Sequence, residues 1–292
     1  MYAPVLALMG AVLIGTGEFS ARFGLRYVRP LSGVFLGVCY QLLTMLVILS
    51  FRGGWSVPDW RGPALFFVVG ILHPGAYFLA LLTAIDRLGP ARAITVRGTS
   101  PLFGVALAVL FLAERPDVMV YLGLICIAGG VMLLTAGGGG KQVQRSDWAF
   151  ALLAAFFSGL APTVTKTALG YMNDPLLGVF FAIVGGLLSI LIANTLIERK
   201  GRDPFWIRSI TAKAVWLFLP MGVLTGLAYI TWFVALSVGT VSVVVPLIQS
   251  SPFIAIFLSR FLLQAEERVD SRLIFSALSI VAGAILVTLG RA

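Results

Sequence analysis

Long apolar runs alternate along this chain with short polar or turn-forming breaks. Ten runs approach the length of a bilayer crossing, at 2–21, 31–51, 62–85, 91–113, 117–136, 148–170, 175–197, 213–237, 240–264 and 271–290. A spanning helix needs roughly 20 mostly apolar residues to cross about 30 Å of hydrocarbon. The breaks carry turn chemistry: Arg29-Pro30, Gly53-Gly54, Leu88-Gly89-Pro90, Arg115-Pro116, Gly137 to Gly140, Asp174-Pro175, Arg202-Asp203-Pro204 and the charged stretch Glu266 to Arg272. The weakest break separates 62–85 from 91–113, where only Asp86, Arg87 and Arg92 interrupt the apolar pattern. Lipid leaves no partner for an exposed backbone group, so such runs are predicted to be helices. The expected fold is an all-α integral membrane protein of ten transmembrane helices.

The pattern repeats. Pro30-Leu31-Ser32-Gly33-Val34-Phe35 returns as Pro175-Leu176-Leu177-Gly178-Val179-Phe180, five of six residues identical at an offset of 145. Glu114-Arg115-Pro116-Asp117 returns as Glu267-Arg268-Val269-Asp270 at an offset of 153, and Ser100-Pro101 answers Ser251-Pro252. A longer loop around Glu198 to Lys213 largely absorbs the change in offset. The glycine run 137–140 then links two copies, 1–140 and 141–292. Five spans per copy is an odd number, so the second copy inserts upside down relative to the first. Inverted repeats are the mark of secondary transporters, whose substrate site lies near the midplane between the copies.

Composition sharpens the picture. The 292 residues are 59% hydrophobic and 11% charged, with a mean hydropathy of +1.01, whereas soluble domains are about 45–50% apolar and about 25% charged. A soluble enzyme, a nucleic-acid binder and a disordered tail are poor readings of such a chain. A net charge of +9 points in a membrane protein to cytoplasmic loops. Cys39 and Cys126 fall in separate spans and give neither a disulfide framework nor a metal signature. The single histidine argues against a histidine metal site. The first apolar run starts at residue 2 without a basic segment before it, and reads as a retained span.

Two modules carry a family resemblance. In copy one they are Leu88-Gly89, Ser100-Pro101, Glu114-Arg115 and Gly129-Gly130; in copy two, Val238-Gly239, Ser251-Pro252, Glu267-Arg268 and Gly283. In this order, and twice, they resemble a ten-helix member of the drug/metabolite transporter superfamily of the EamA type. The resemblance covers essentially the whole chain. It implies a multi-pass cell-membrane protein that exports amino acids, related metabolites or drugs, or exchanges phosphorylated metabolites. Near residue 18 the chain departs from the family pattern, with Gly15-Thr16-Gly17-Glu18-Phe19 where relatives often carry tryptophan and neutral polar residues.

Charge at membrane depth is costly and marks candidate function. Glu18 reads either as an interfacial pair with Arg22 at i+4 or as a cavity-facing proton or cation site with Arg97 as partner. Arg97 lies on the same helical face as Pro101 and reads as a cavity residue. Lys166 stands open between snorkelling to the headgroups and lining the cavity. Arg260 reads as structural. Pro101 and Pro252 are expected to kink their helices and to mark gating points. Tyr77, Tyr229 and Trp232 are candidate lining residues, and Gln249 occupies nearly the place of Arg97 in copy two. His73-Pro74 reads as the opening of span three, with an interfacial histidine. Gly33-x-x-x-Gly37 and Gly222-x-x-x-Gly226 allow close helix packing.

No phosphate-cradling GxxxxGK[ST], nucleophile elbow or zinc pattern occurs. The expectation is therefore a carrier, not an enzyme, with no cofactor and no nucleic acid, working as a monomer or weak oligomer among lipids. A passive pore and a non-transporting membrane protein are the competing classes. The expected cavity is lined by spans 1, 3, 4, 6, 8 and 9, and alternating access is expected to work by rocking of the halves. Arg97 would bind a carboxylate and the aromatics an apolar portion, which suits an amino acid or related metabolite. Loops following odd-numbered spans hold fourteen basic residues: Arg22, Arg26, Arg29, Arg87, Arg92, Lys141, Arg145, Arg199, Lys200, Arg202, Arg208, Lys213, Arg268 and Arg272. Arg52, Arg61, Arg115 and Arg291 lie on the other side. The positive-inside rule puts both termini outside, although the family more often has them inside.

Overall fold

The computed structural model describes residues 2–53, 59–135, 144–198, 210–262 and 271–290. Its helices are α1 (Tyr2–Gly24), α2 (Pro30–Ser50), α3 (Arg61–Gly70), α4 (Tyr77–Leu88), α5 (Pro90–Arg97), α6 (Ser100–Leu112), α7 (Val118–Thr135), α8 (Trp148–Tyr171), α9 (Pro175–Glu198), α10 (Ala212–Val238), α11 (Val241–Ile248), α12 (Ser251–Leu262) and α13 (Ser271–Leu289). They compose the ten expected spans, because three spans are each built from two helices: α3 with α4, α5 with α6, and α11 with α12. Eight spans are long and apolar enough to cross a membrane, and α7 and α13 contain two shorter apolar helices. Lys141, Arg199, Lys200, Arg202, Arg208, Glu267, Arg268 and Arg291 lie outside the described residues, as do the side chains of Arg145, Arg260 and Arg272.

The outer surface is apolar: Leu110 (75% exposed), Phe111 (72%) and Phe261 (69%) point away from the protein, as lipid requires. With apolar groups on both sides, hydrophobicity cannot choose the inner face; small residues that admit close packing do so. A Cβ on Gly123 would stand 2.6 Å from the Gly283 carbonyl oxygen, and one on Gly283 would stand 2.7 Å from that of Gly123, so α7 and α13 meet backbone to backbone. Gly70 approaches the Ala182 carbonyl as closely, seating α3 on α9. The two GxxxG motifs face each other: Gly33 receives the Phe218 ring and Gly222 lies against the Gly37 carbonyl, joining α2 to α10.

These pairings bear on how the two copies could move. The main helix pairs, α1 with α10, α7 with α13, α3 with α9 and α6 with α8, each join one helix from each sequence copy. The copies interleave. The closest helix contacts in the molecule thus lie between residues 1–140 and 141–292.

The prolines act differently from interior kinks. Pro101 occupies the first turn of α6, after the chain leaves helical pairing at Gly98-Thr99. Pro252 follows the matching turn at Gln249-Ser250. There the missing N–H costs nothing, because early helix amides have no intrahelical acceptor. A third break was not anticipated: between α3 and α4 the span loosens into a wider turn over Ile71–Ala76. His73 there is extended (φ −145°, ψ 111°), as suits a residue that precedes proline.

Candidate functional site

The three broken spans surround one large cavity of about 480 Å³. Its mouth lies among Leu25 just beyond α1, Pro30 at the start of α2, Ile85 near the end of α4 and Phe218 near the start of α10. Its depth reaches Ile14, Gln41, Trp232 and Val245. Beyond, the space is filled by the main apolar core, which includes Ala3, Ala7, Phe66, Phe233, Val241 and Val244. The Phe66 and Phe233 rings stack there with centroids 5.7 Å apart. Among the described residues the cavity thus opens toward one end of the bundle.

Of the sequence candidates, Glu18, Tyr77, Arg97, Tyr229, Trp232, Gln249 and Pro252 all line this cavity. Pro101 lines a chamber of about 10 Å³ beside it, shared with Arg97, Ser100 and Gln249. Spans 1, 3, 4, 6, 8 and 9 contribute as expected, and α2 contributes as well, through Val34, Val38 and Gln41. The Gln41 amide donates to Thr225 Oγ1 at 2.9 Å, tying α2 to α10 in the cavity wall.

Opposite charges line the same lumen. Glu18 lies within electrostatic reach of Arg97 and Arg22. The Arg97 guanidinium lies over the face of the Tyr77 ring, 5.5 Å from its centroid. An ionised side chain at the bilayer centre costs about 3 kcal/mol on insertion scales. Two such groups are tolerable around a water-accessible cavity where opposite charge and a phenol offset that cost.

An aromatic wall faces the pair. His73 stacks on Tyr77 at 4.5 Å between centroids and meets Trp232 edge-on at 6.0 Å. Its Nδ1 lies 2.9 Å from Tyr229 Oη, and Tyr229 packs edge-on against Trp232 at 5.4 Å. His73 lines the cavity in the middle of Arg61–Leu88, so it is not the interfacial histidine expected. Its place follows from the break at Pro74. Its distance from Leu88, fifteen residues and so about four turns, would have revealed its depth.

Lys166 does not line the cavity. Its Nζ donates to the carbonyls of Leu236 (2.6 Å) and Gly239 (2.7 Å), closing the C-terminus of α10 at the sealed end, where a cation suits the helix dipole. Beside it Glu114 does the complementary job. Its two carboxylate oxygens accept from the Val241 amide (2.7 Å) and the Ser242 amide (2.9 Å), the first of α11. Ala113 turns left-handed (φ 53°) to end α6 and present Glu114 there. The motif containing Glu114 was visible in the sequence; its acceptor role needed the tertiary approach of α11.

A solved structure described only as "Crystal structure of protein" matches with a TM-score of 0.81 over 98% of this chain and 96% of the other, at 18% identity; that likeness shows the fold alone. No curated protein matches. The model of the EamA-like transporter family matches twice, over residues 1–136 and 148–289, one match for each copy of the repeat. An all-helical bundle of two repeated units around a charged, one-ended cavity is the setting for that match, and the chain belongs to the EamA-like transporter family.

Proposed function

We propose that this protein is a secondary transporter that exports a small carboxylate-bearing metabolite of the amino acid class across the cell membrane by alternating access. The observation that carries the reading is the placement of Glu18 and Arg97 in one largely apolar cavity that also carries a few polar side chains. Opposite charges a short way apart suit a zwitterion: carboxylate to Arg97, ammonium to Glu18, side chain to the aromatic wall. A bulky cationic drug would meet Arg97 unfavourably.

Export rests on the family resemblance, and the mouth bears on orientation. Arg22 lines the open end, and Arg26, Arg29, Arg87, Arg92 and Lys213 sit at the helix ends and connections on that side, which the positive-inside rule assigns to the cytoplasm. Both termini then face outward. A pore is disfavoured by the filled core at the opposite end. Because the two copies interleave, switching is proposed to occur by bending at the three broken spans, not by rigid motion of 1–140 against 141–292.

The test is counterflow in proteoliposomes with a panel of radiolabelled amino acids. Uptake stimulated by unlabelled substrate on the far side is expected, and Arg97→Gln should weaken apparent affinity more than tenfold, since losing a buried charged partner costs a few kcal/mol. Normal amino acid transport by Arg97→Gln would defeat this placement of the site.

A further inference from the structure

Most serine and threonine hydroxyls in these helices donate to a carbonyl one turn back in their own helix: Thr44 to Tyr40, Thr83 to Leu79, Thr225 to Met221, Ser250 to Leu247 and Ser259 to Ala255, at 2.6–2.8 Å. That is how a hydroxyl is satisfied in an apolar interior. Three serines at the cavity break the habit. Ser100 is 1% exposed, Ser158 4% and Ser251 2%. Gln249 Nε2 donates to Ser100 Oγ (2.8 Å) and to Ser158 Oγ (3.2 Å), so both oxygens are engaged as acceptors and both hydroxyl hydrogens remain to be given. The Ser251 hydroxyl makes no side-chain hydrogen bond among the described residues, and it lines the cavity with Ser158. Ser100 lines the adjoining chamber with Arg97 and Gln249, a space for roughly one water.

We propose that Ser100, Ser158 and Ser251, with Arg97, form the carboxylate subsite of the cavity, and that the Gln249 amide holds two of the three hydroxyls with their hydrogens turned toward the ligand. The three serines come from the start of α6, the middle of α8 and the start of α12, and they meet where the breaks of spans four and nine come together. The hydroxyl hydrogens and the guanidinium are all donors, and one positive charge lies among them. The group that fits is a negatively charged one that only accepts hydrogen bonds. Glu18 in the same lumen selects a monoanion joined to a cation over a dianionic phosphate. The inference deepens the transport reading by naming which end of the substrate is read and by what, yet binding alone tests it.

The experiment measures binding of L-phenylalanine and of L-phenylalaninamide, which lacks the carboxylate, to the purified protein by calorimetry. Phenylalanine is expected to bind at least tenfold more tightly than the amide. The double variant Ser158→Ala/Ser251→Ala should lose about tenfold in affinity for phenylalanine, as hydrogen bonds to a charged group warrant, and bind the amide as before. Ser250→Ala, whose hydroxyl is spent on Leu247, serves as the folding control and should leave both affinities unchanged. Equal binding of acid and amide, undiminished preference in the double variant, or no binding of phenylalanine overturns the subsite. Binding with the expected preference in a protein without exchange-stimulated uptake would instead defeat the transport reading and leave the subsite standing.

Discussion

Helices α8 and α10 run through both ends of the bundle and meet differently at each. At the sealed end Lys166 of α8 grips the last carbonyls of α10, while Glu114 holds the first amides of α11 just beyond the turn. Toward the other end the same helices part around the cavity, with Ser158 and Pro162 on one wall and Phe218, Met221 and Thr225 on the other. The charges at the sealed end are spent on the protein's own backbone. Those in the lumen face one another across space a ligand can occupy. Charge at membrane depth thus serves two purposes here, and only its partners tell which.

The strongest way to erase the difference is to free the amides. Glu114→Ala leaves two part-buried donors without their acceptor, at about 1–3 kcal/mol each. The sealed end should open, and a cysteine replacing the fully buried Ala7, in a protein lacking Cys39 and Cys126, should react with maleimide at least tenfold faster than in the parent. An unchanged rate would mean that the apolar core alone keeps that end shut.

Lys166→Met retains the apolar stem and removes two charged donors. Orphaned carbonyls are tolerated better than orphaned amides, so labelling at Ala7 should rise by a smaller factor, a few-fold. Smaller again is the effect of Gln41→Leu, which breaks the link to Thr225 in the cavity wall and costs about 1 kcal/mol. A modest fall in thermal midpoint is expected, with the sealed end still protected from maleimide.

The smallest effect is a pH dependence at the sealed end. Burial works to raise the Asp174 carboxyl, but the Arg52 guanidinium at 2.6 Å and the Leu177 amide outweigh it and hold the group below its usual 3.8. A carboxyl lowered on folding stabilises above its unfolded value and loses that contribution as pH falls through the folded value. The pair is partly exposed and the gain correspondingly small. Thermal stability should decline slightly more below pH 3.8 in the parent than in Arg52→Gln; identical profiles would remove the pair from consideration.

Much of this was legible in the order of residues. Span length and turn chemistry placed ten helices, because bilayer thickness leaves little choice. The repeat of Pro30–Phe35 in Pro175–Phe180, and of Ser100-Pro101 in Ser251-Pro252, carried the two-copy plan. Arg97, Tyr77, Tyr229 and Gln249 stood out as polar groups far from any loop, and they line one cavity. Lys166 stood out equally and lies elsewhere, because its partners are carbonyls of a helix 70 residues on, which no local pattern encodes. His73 was misplaced because a proline in the middle of an apolar run imitates a helix start. The interleaving of the copies was hidden for another reason: the small residues that seat α1 on α10 and α7 on α13 carry no mark of their partner.

The proposed switching between ends is best followed on the two helices that differ between them. Spin labels at Tyr171 and Val238 report the sealed end of α8 and α10, and labels at Trp148 and Trp216 report the open end; all four sites are exposed. Distances between paired labels in lipid should show a short, narrow Tyr171–Val238 distribution and a longer Trp148–Trp216 one. Adding a transported amino acid, or introducing Glu114→Ala, should lengthen the first as it shortens the second. Two distances that stay fixed, or that lengthen together, would contradict alternating access in this protein.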